Sequence, residues 1–595
     1  MLGKIKTLLW NRKYVFLFIS LFIIVLTQRF LNDKQRGLMN SVSSDGFGYY
    51  CYLPAAIIYQ DFSYEFYNKS ENRINPYYRP AISKYKDRGV NKYYCGTSIC
   101  LLPFFLVGIL ISVIAGTDIN GYTDTFLMLV SLAAIIYYLL SVFLISKIAK
   151  FLNIPEKISL AGCLIFFFGT NLFHYTIQEP SMSHIYSFFA VSLFFYLFTR
   201  LINDTCSANF VFLGLALGLV FLIRPVNVII VLFTPFFFKN FMAYIDFLKS
   251  ILIGNLKGFF YFIFSSVGLI FIQFLLYYFQ TGDFFIVSYE GETFNFLKPE
   301  FFNVLFSYKK GLLLYVPILF GAVVFIIFTK NNWYKKIFFF FTLGVFLYIT
   351  SSWWCWWYGG GFSIRPIIDV LPIFIITSIL VFEQLTVVKK RLILFASVPF
   401  LFYSQLMAYQ YSNLLIETDQ MNKEKYWDVF MATDYSTVHE NKKNRILKGK
   451  SIFKTELIDY EDDVADNRIV EGGYRSEKAC LVGKSNNFSK GLSITKSDLN
   501  IDESFYLLVE CMVKVEDEDK GLALAVAATQ NEIMVGWYVV FKSQFKAGDD
   551  GWLRMVNIVE IDKSFLSDNS NIKIFVNSNN GQSLVDDLKY SIIKK

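Results

Sequence analysis

Residues 99–115 read ICLLPFFLVGILISVIA. The run carries no charge and approaches the ~18–20 residues with which a helix crosses a bilayer. Whether it crosses decides the side on which every later loop lies. The basic residues settle that order, because cytoplasmic loops retain Lys and Arg. They cluster at Lys4 to Lys13, at Lys147, Lys150 and Lys157, and at Arg200. Further clusters are Lys239, Lys249 and Lys257, then Lys330, Lys335 and Lys336, then Lys389, Lys390 and Arg391. Keeping all of them on one side leaves 99–115 as a helix lying in the outer interface. The other apolar runs then make eleven crossings. They lie near 14–27, 123–146, 158–177, 184–200, 208–222, 227–238, 258–279, 311–329, 336–352, 369–387 and 392–409. The N-terminus is cytoplasmic and the C-terminus outside. The first run follows a basic start but precedes Gln28-Arg29-Phe30, with no small-x-small cleavage site, so it reads as a retained helix.

Composition agrees. The chain of 595 residues is 55% hydrophobic and 19% aromatic but only 17% charged, with 66 Phe, and its mean hydropathy is +0.43. These values describe a polytopic membrane protein with a soluble part, and nothing in the sequence points to nucleic acid. The three histidines, His174, His184 and His439, are too few for a His-rich metal site. The eight cysteines show no metal-ligand spacing. A Cys51–Cys95 disulfide fits a first outer loop in an oxidising compartment; buried free thiols fit as well.

After about residue 410 the character changes. Residues 411–449 read as a polar connector. Residues 450–595 hold 24 Asp/Glu against 18 Lys/Arg, leaving +14 for the rest. Short alternating runs such as SFYLLVECMVKVE and WLRMVNIVEI, separated by Gly, Asn and Asp, predict an all-β sandwich. The expected fold is therefore a polytopic α-helical membrane domain over 1–410, with a first periplasmic loop at 28–122, followed by a C-terminal all-β sandwich.

The unusual polar residues share the outer side. Asp45 lies in the first outer loop, in SSDGFGYY. Glu179 and His184 flank the next outer turn, Arg224 tips a helical hairpin, and Lys309 and Lys310 begin a later helix. Arg365 and Asp369 follow WWCWWYGGGFS, which contains Trp357 and Tyr358. Ionisable groups at membrane depth are costly and usually mark sites. A carboxylate beside cations at headgroup level suits glycosyl transfer from a lipid phosphate. The acid takes the proton of an attacking hydroxyl, and Arg or Lys holds the departing phosphate.

The motifs SDGFGYYCYLPA (44–55), GTNLFHYTIQEPSMSHIYSFF (169–189), GLALGLVFLIRPVN (214–227), FSYKKGLLLYVP (306–317) and WWYGGGFSIRPIIDVLP (356–372) resemble the GT-C superfamily of membrane glycosyltransferases. They are most similar to its mannosyl- and aminoarabinosyltransferase-like bacterial branch. The resemblance implies a polyprenyl-phosphate-linked sugar donor, a glycan, lipid or protein acceptor, and a place in the bacterial cytoplasmic membrane. It implies a catalytic Asp in the first outer loop, which matches Asp45. Relatives often carry a second acid next to that Asp. Here Gly46 follows, and Glu179 is the substitute carboxylate. No DxD pair stands among the outer-loop motifs, so no cofactor is implied and a divalent metal is disfavoured. The ending IKIFVNSNNGQSLVDDLKYSII resembles the last strands of jelly-roll carbohydrate-binding modules, with Asp586-Asp587 as the acid pair.

Each residue also has a plainer role. Asp45 fits a helix cap, Glu179 a turn before Pro180, and His184 a helix-start donor. Arg224 can snorkel to headgroups, Lys309 and Lys310 can anchor at the interface, and the tryptophans fit an aromatic belt. The expected function is an inverting glycosyltransferase acting at the periplasmic face. Asp45 and Glu179 are its catalytic candidates. His184, Arg224, Lys309, Lys310, Trp357, Tyr358, Arg365 and Asp369 are its substrate-binding candidates. A flippase of lipid-linked sugars and a glycan polymerase are the alternatives.

Overall fold

The structure is a computed structural model. It describes residues 20 and 41–595, except 79–81, 290, 330–331, 462–465, 467, 475, 484–485, 500, 502, 518–520, 568 and 579–580. The expected first crossing, 14–27, lies outside the described residues apart from Ser20. The chain divides into two compact units, one over 1–412 with 418–420, the other over 413–417 with 421–595.

In the first unit the described residues form six helices long and apolar enough to cross a membrane. They are Gly96–Ala115, Asp124–Phe151, Ser183–Asn203, Leu256–Thr281, Trp333–Ser352 and Val387–Ser412. The count becomes seven if Pro225–Phe237 and Phe241–Leu252, bent by 112°, form one span. Two more of the eleven expected crossings, near 208–222 and 369–387, form the 17-residue helices Ser207–Ile223 and Ile367–Glu383, and three others are broken or wound differently for local reasons. The run near 158–177 breaks at Thr170–Asn171 into Glu156–Gly169 and Leu172–Ile177. The run near 311–329 breaks before Pro317, which cannot donate to a helix interior. The run near 227–238 is 3-10 helical after Pro225. Gly96–Ala115, expected in the interface, has the highest mean hydropathy of the six, 2.7, and a span's length. It ends at Gly116, whose φ of +66° favours glycine, and Thr117 N–H closes back to the Ser112 carbonyl.

Close helix packing fixes the polar face. Gly214 and Gly218 of helix Ser207–Ile223 face helix Leu256–Thr281. A Cβ on Gly214 would lie 2.3 Å from the Phe262 carbonyl oxygen, and one on Gly218 2.9 Å from that of Ser266. This small-xxx-small contact lets two membrane helices approach backbone to backbone. A Cβ on Gly96 would meet Ile223 N at 2.3 Å. Three glycines thus set the end of the helix that carries Arg224. From helix Leu256–Thr281, Gln273 accepts from Cys95 N–H (2.7 Å) and Gln280 from Asn91 N–H (2.9 Å). These bonds tether the end of the antiparallel hairpin β1 (Ile82–Tyr85) and β2 (Arg88–Asn91) and the segment just after it. Cys51 and Cys95 are buried free thiols; Asn91 Nδ2 donates to the Cys51 sulfur at 3.2 Å.

The second unit holds two β-sheets. One has the order β10-β7-β12-β5-β4, with β3 also pairing β12; the other has the order β6-β11-β8-β9. The strands are β3 Ile452–Ile458, β4 Ile469–Glu471, β5 Lys478–Gly483, β6 Leu492–Thr495 and β7 Phe505–Val515. They continue with β8 Ala523–Gln530, β9 Ile533–Phe541, β10 Trp552–Ile561, β11 Ser570–Asn577 and β12 Gln582–Lys594. Alternate residues of both sheets, such as Leu507, Val509, Leu524, Val526, Ile572 and Ile574, fill one core. Asp586, singled out as half of an acid pair, is fully buried. It accepts from Tyr474 N–H (2.6 Å) and Ser476 Oγ (2.7 Å) where the β12 register shifts. That contact assigns it a structural role in the strand irregularity.

Helices Lys423–Val429 and Tyr435–Leu447 precede the strands, joined by a bidentate Arg445–Asp428 pair at 2.8 Å for both bonds. His439 stacks on Phe545 at 5.1 Å, and neither ring nitrogen has a hydrogen-bond partner among the described residues. Burial, and then Lys442, push its pKa down to about 4. The unfolded chain protonates His439 first, so this unit should lose stability as pH falls from 6.5 towards 4, by roughly 1–3 kcal/mol. Melting curves of wild type and His439→Phe across that range check this. The variant should show the shallower decline.

Candidate active site

Asp45 begins the six-residue helix Asp45–Tyr50. Ser44, with φ +51°, stands at the cap position and makes no side-chain cap bond. Asp45 is therefore free of the capping role, and its carboxylate is used across the fold. Oδ1 accepts from the Tyr93 hydroxyl at 2.8 Å, and Oδ2 pairs with Arg365 Nη2. Burial raises the Asp45 pKa, but Arg365, Tyr93 and Lys92 together outweigh it and hold it below the ordinary 3.8.

The turn after Asp45 has no room for another side chain. A Cβ on Gly46 would lie 2.0 Å from Ser181 Oγ, and one on Gly48 2.1 Å from the Tyr93 ring. A second acid at position 46 would therefore collide with Ser181. Among the described residues no group of three or more His, Cys, Asp or Glu is arranged to hold a metal ion.

Arg365 precedes helix Ile367–Glu383 and is 9% exposed. Its Nη1 donates to the Met182 sulfur at 3.6 Å, and its Nε has no hydrogen-bond partner among the described residues. Asp369, in the first turn of that helix, receives His184 Nδ1 on Oδ1 at 3.0 Å. Its Oδ2 lies 3.1 Å from Arg224 Nε, an ion contact whose angle does not make a hydrogen bond. Two Asp–Arg pairs thus line one cleft of about 500 Å³. Tyr49, Tyr93, Tyr289, Trp353 and Tyr358 line it as well. Tyr358 is fixed there by its hydroxyl on the Thr350 carbonyl at 3.1 Å.

Of the ten candidate residues, Asp45, Arg224, Tyr358, Arg365 and Asp369 line this cleft. His184 stands behind Asp369. Glu179 does not line the cleft and pairs with His174 at 3.2 Å. Lys309 sits over the Trp357 ring at 3.6 Å. Lys310, 2% exposed, donates to the Gly359 carbonyl and pairs with Asp419 at 3.7 Å. Burial lowers its pKa to about 8 despite Asp419. Sequence reasoning missed Tyr49, Lys92, Tyr93, Tyr289 and Glu292, which also line the cleft. The available signal was a cation and an acid on two outer segments, in NKYY and SYEGETF.

No family model matches the chain. No curated protein matches it in sequence. Among solved structures, one match is the archaeal oligosaccharyltransferase AglB from Archaeoglobus fulgidus, in complex with an inhibitory peptide and a dolichol-phosphate. It shows 12% identity over 73% of this chain and 58% of that one, with a TM-score of 0.35. Another is the arabinosyltransferase EmbB from Mycobacterium smegmatis, with 11% identity over 78% and 57%, and a TM-score of 0.22. The chain spans just over half the length of these two. At these TM-scores neither match decides the fold or the chemistry.

Proposed function

We propose that this protein is an inverting glycosyltransferase that moves a sugar from a polyprenyl-phosphate donor to an acceptor hydroxyl at the periplasmic face of a bacterial cytoplasmic membrane. One observation carries the reading. Arg365 is buried and shares a cleft with Arg224 and Asp45, and its Nε has no acceptor among the described residues. Guanidinium groups with spare donors fit a phosphate, often through two parallel bonds.

In the reaction the acceptor oxygen bonds to the anomeric carbon as the carbon–oxygen bond to phosphate breaks. The electron pair leaves on the phosphate, towards Arg224 and Arg365, and the acceptor proton goes to Asp45. Attack opposite the leaving group inverts the anomeric centre. Both Asp45 oxygens are engaged at rest, so Arg365 must move from Oδ2 to the phosphate before Asp45 can take a proton. Asp369 and His184 keep Arg224 aimed at the cleft. The second unit serves as a jelly-roll-like periplasmic module. Membranes containing the protein should transfer radiolabelled sugar from at least one polyprenyl-phosphate donor. Absence of transfer with every donor, together with movement of lipid-linked sugar between leaflets, would contradict the reading.

A further inference from the structure

One cluster in the cleft lies on the side of Asp45 away from the arginines. Lys92 Nζ and Glu292 Oε1 form an ion pair at 2.7 Å, with side chains 22% and 23% exposed. Lys92 Nζ also lies over the Tyr93 and Tyr289 rings, at 5.3 and 5.4 Å. Those rings meet edge to face at 6.2 Å. Lys92 comes just after β2, and Glu292 from the segment after helix Leu256–Thr281. Ser288 Oγ, donating to the Lys92 carbonyl at 3.0 Å, brings the two together.

Asp45 stands between this cluster and the arginines. Its Oδ2 meets Arg365, and its Oδ1 meets Tyr93, which belongs to the cluster. The two ends differ in chemistry. At the arginine end a buried guanidinium has spare donors. At the other end Glu292 neutralises Lys92, so an anion gains little there. A carboxylate that accepts, an ammonium that donates and two flat aromatic faces suit a neutral polyol, whose ring has hydroxyl edges and C–H faces.

We propose that Lys92, Glu292, Tyr93 and Tyr289 form the acceptor subsite, and that the acceptor is the uncharged sugar end of a glycan. Naming it the acceptor rests on the glycosyltransferase reading; the polyol site itself does not. A hydroxyl held against Tyr93 lies beside the Asp45 carboxylate, whose Oδ2 takes its proton once Arg365 has moved to the phosphate. The plainer role for the ion pair is a strap holding two segments together. A neighbouring pair separates the two roles. Lys86–Asp283, also at 2.7 Å, joins the same hairpin to the same segment but is exposed and does not line the cleft.

The test is saturation-transfer NMR on the full chain in detergent micelles, with a mixture of methyl glycosides as the probe. Wild type and Lys86→Ala should transfer saturation to sugar ring protons. Lys92→Met and Glu292→Gln should do so about tenfold less, as loss of hydrogen bonds to charged groups implies. Inorganic phosphate should not displace the sugars. The proposal is overturned by absence of signal in wild type, by equal signal in all variants, or by equal loss in Lys86→Ala. Sugar binding without any glycosyl transfer would refute the enzyme reading alone. Transfer with signal unchanged by Lys92→Met and Glu292→Gln would refute the subsite alone.

Discussion

Replacing Arg365 with Met should lower glycosyl transfer by about 10²–10³-fold, the effect expected when a group that stabilises transition-state charge is removed. It should also destabilise the fold, because Asp45 loses its counter-charge in a half-buried place, at a cost on the order of 2 kcal/mol. The two effects separate in the double variant. Asp45→Asn with Arg365→Met removes the stranded carboxylate, so thermal stability should recover most of the loss while transfer stays low. The pH dependence has a definite sign. Arg365 and Tyr93 hold the Asp45 pKa below 3.8. The pair's stabilisation is therefore present above that value and is lost as pH falls through the lower folded value. Without Arg365 that stabilisation is absent, so Arg365→Met should lose less stability than wild type as pH falls from 7 to 3. Melting curves of wild type and both variants between pH 3 and 7, with transfer assays at neutral pH, check both parts.

The second large effect belongs to a residue with no side chain. In Gly46→Ala the new Cβ would sit 2.0 Å from Ser181 Oγ and 2.7 Å from Ser181 Cβ. Either the helix that begins at Asp45 or the turn carrying Ser181 must shift. A displacement of about 1 Å at a reacting group costs on the order of 10²-fold in rate. Transfer should fall by that order. Adding Ser181→Gly removes the obstructing atoms, and activity should return to within a few-fold of Ser181→Gly alone. If Gly46→Ala keeps full activity, the tight fit around Asp45 has no bearing on function.

Some of this was legible in the residues alone. Long apolar runs with basic ends located the helices at 124–151, 183–203, 256–281 and 387–412 to within a few positions. Five polar residues marked in outer loops do meet in one cleft, because ionisable groups beside a bilayer have few places to go. Hydropathy did not show the breaks at Thr170–Asn171 and before Pro317, since an apolar window averages across a kink. Lys309 and Lys310 shared a promising motif, but their side chains turn to Trp357, Gly359 and Asp419. Lys92 and Glu292 are 200 positions apart. Their meeting depends on Gln273 and Gln280 tethering the segment before Lys92 and that around Cys95 to a distant helix, which no local pattern records.

The proposed reaction turns on Asp45 taking the acceptor proton. The most direct test compares wild type with Asp45→Asn at equal membrane expression, measuring radiolabelled sugar transfer from polyprenyl-phosphate donors. Asn keeps the shape and can still accept from Tyr93, so the fold should survive, and general-base loss should lower transfer by about 10²–10⁴-fold. Transfer by Asp45→Asn at the wild-type rate would contradict the account and leave Asp45 as a partner that merely orders Arg365.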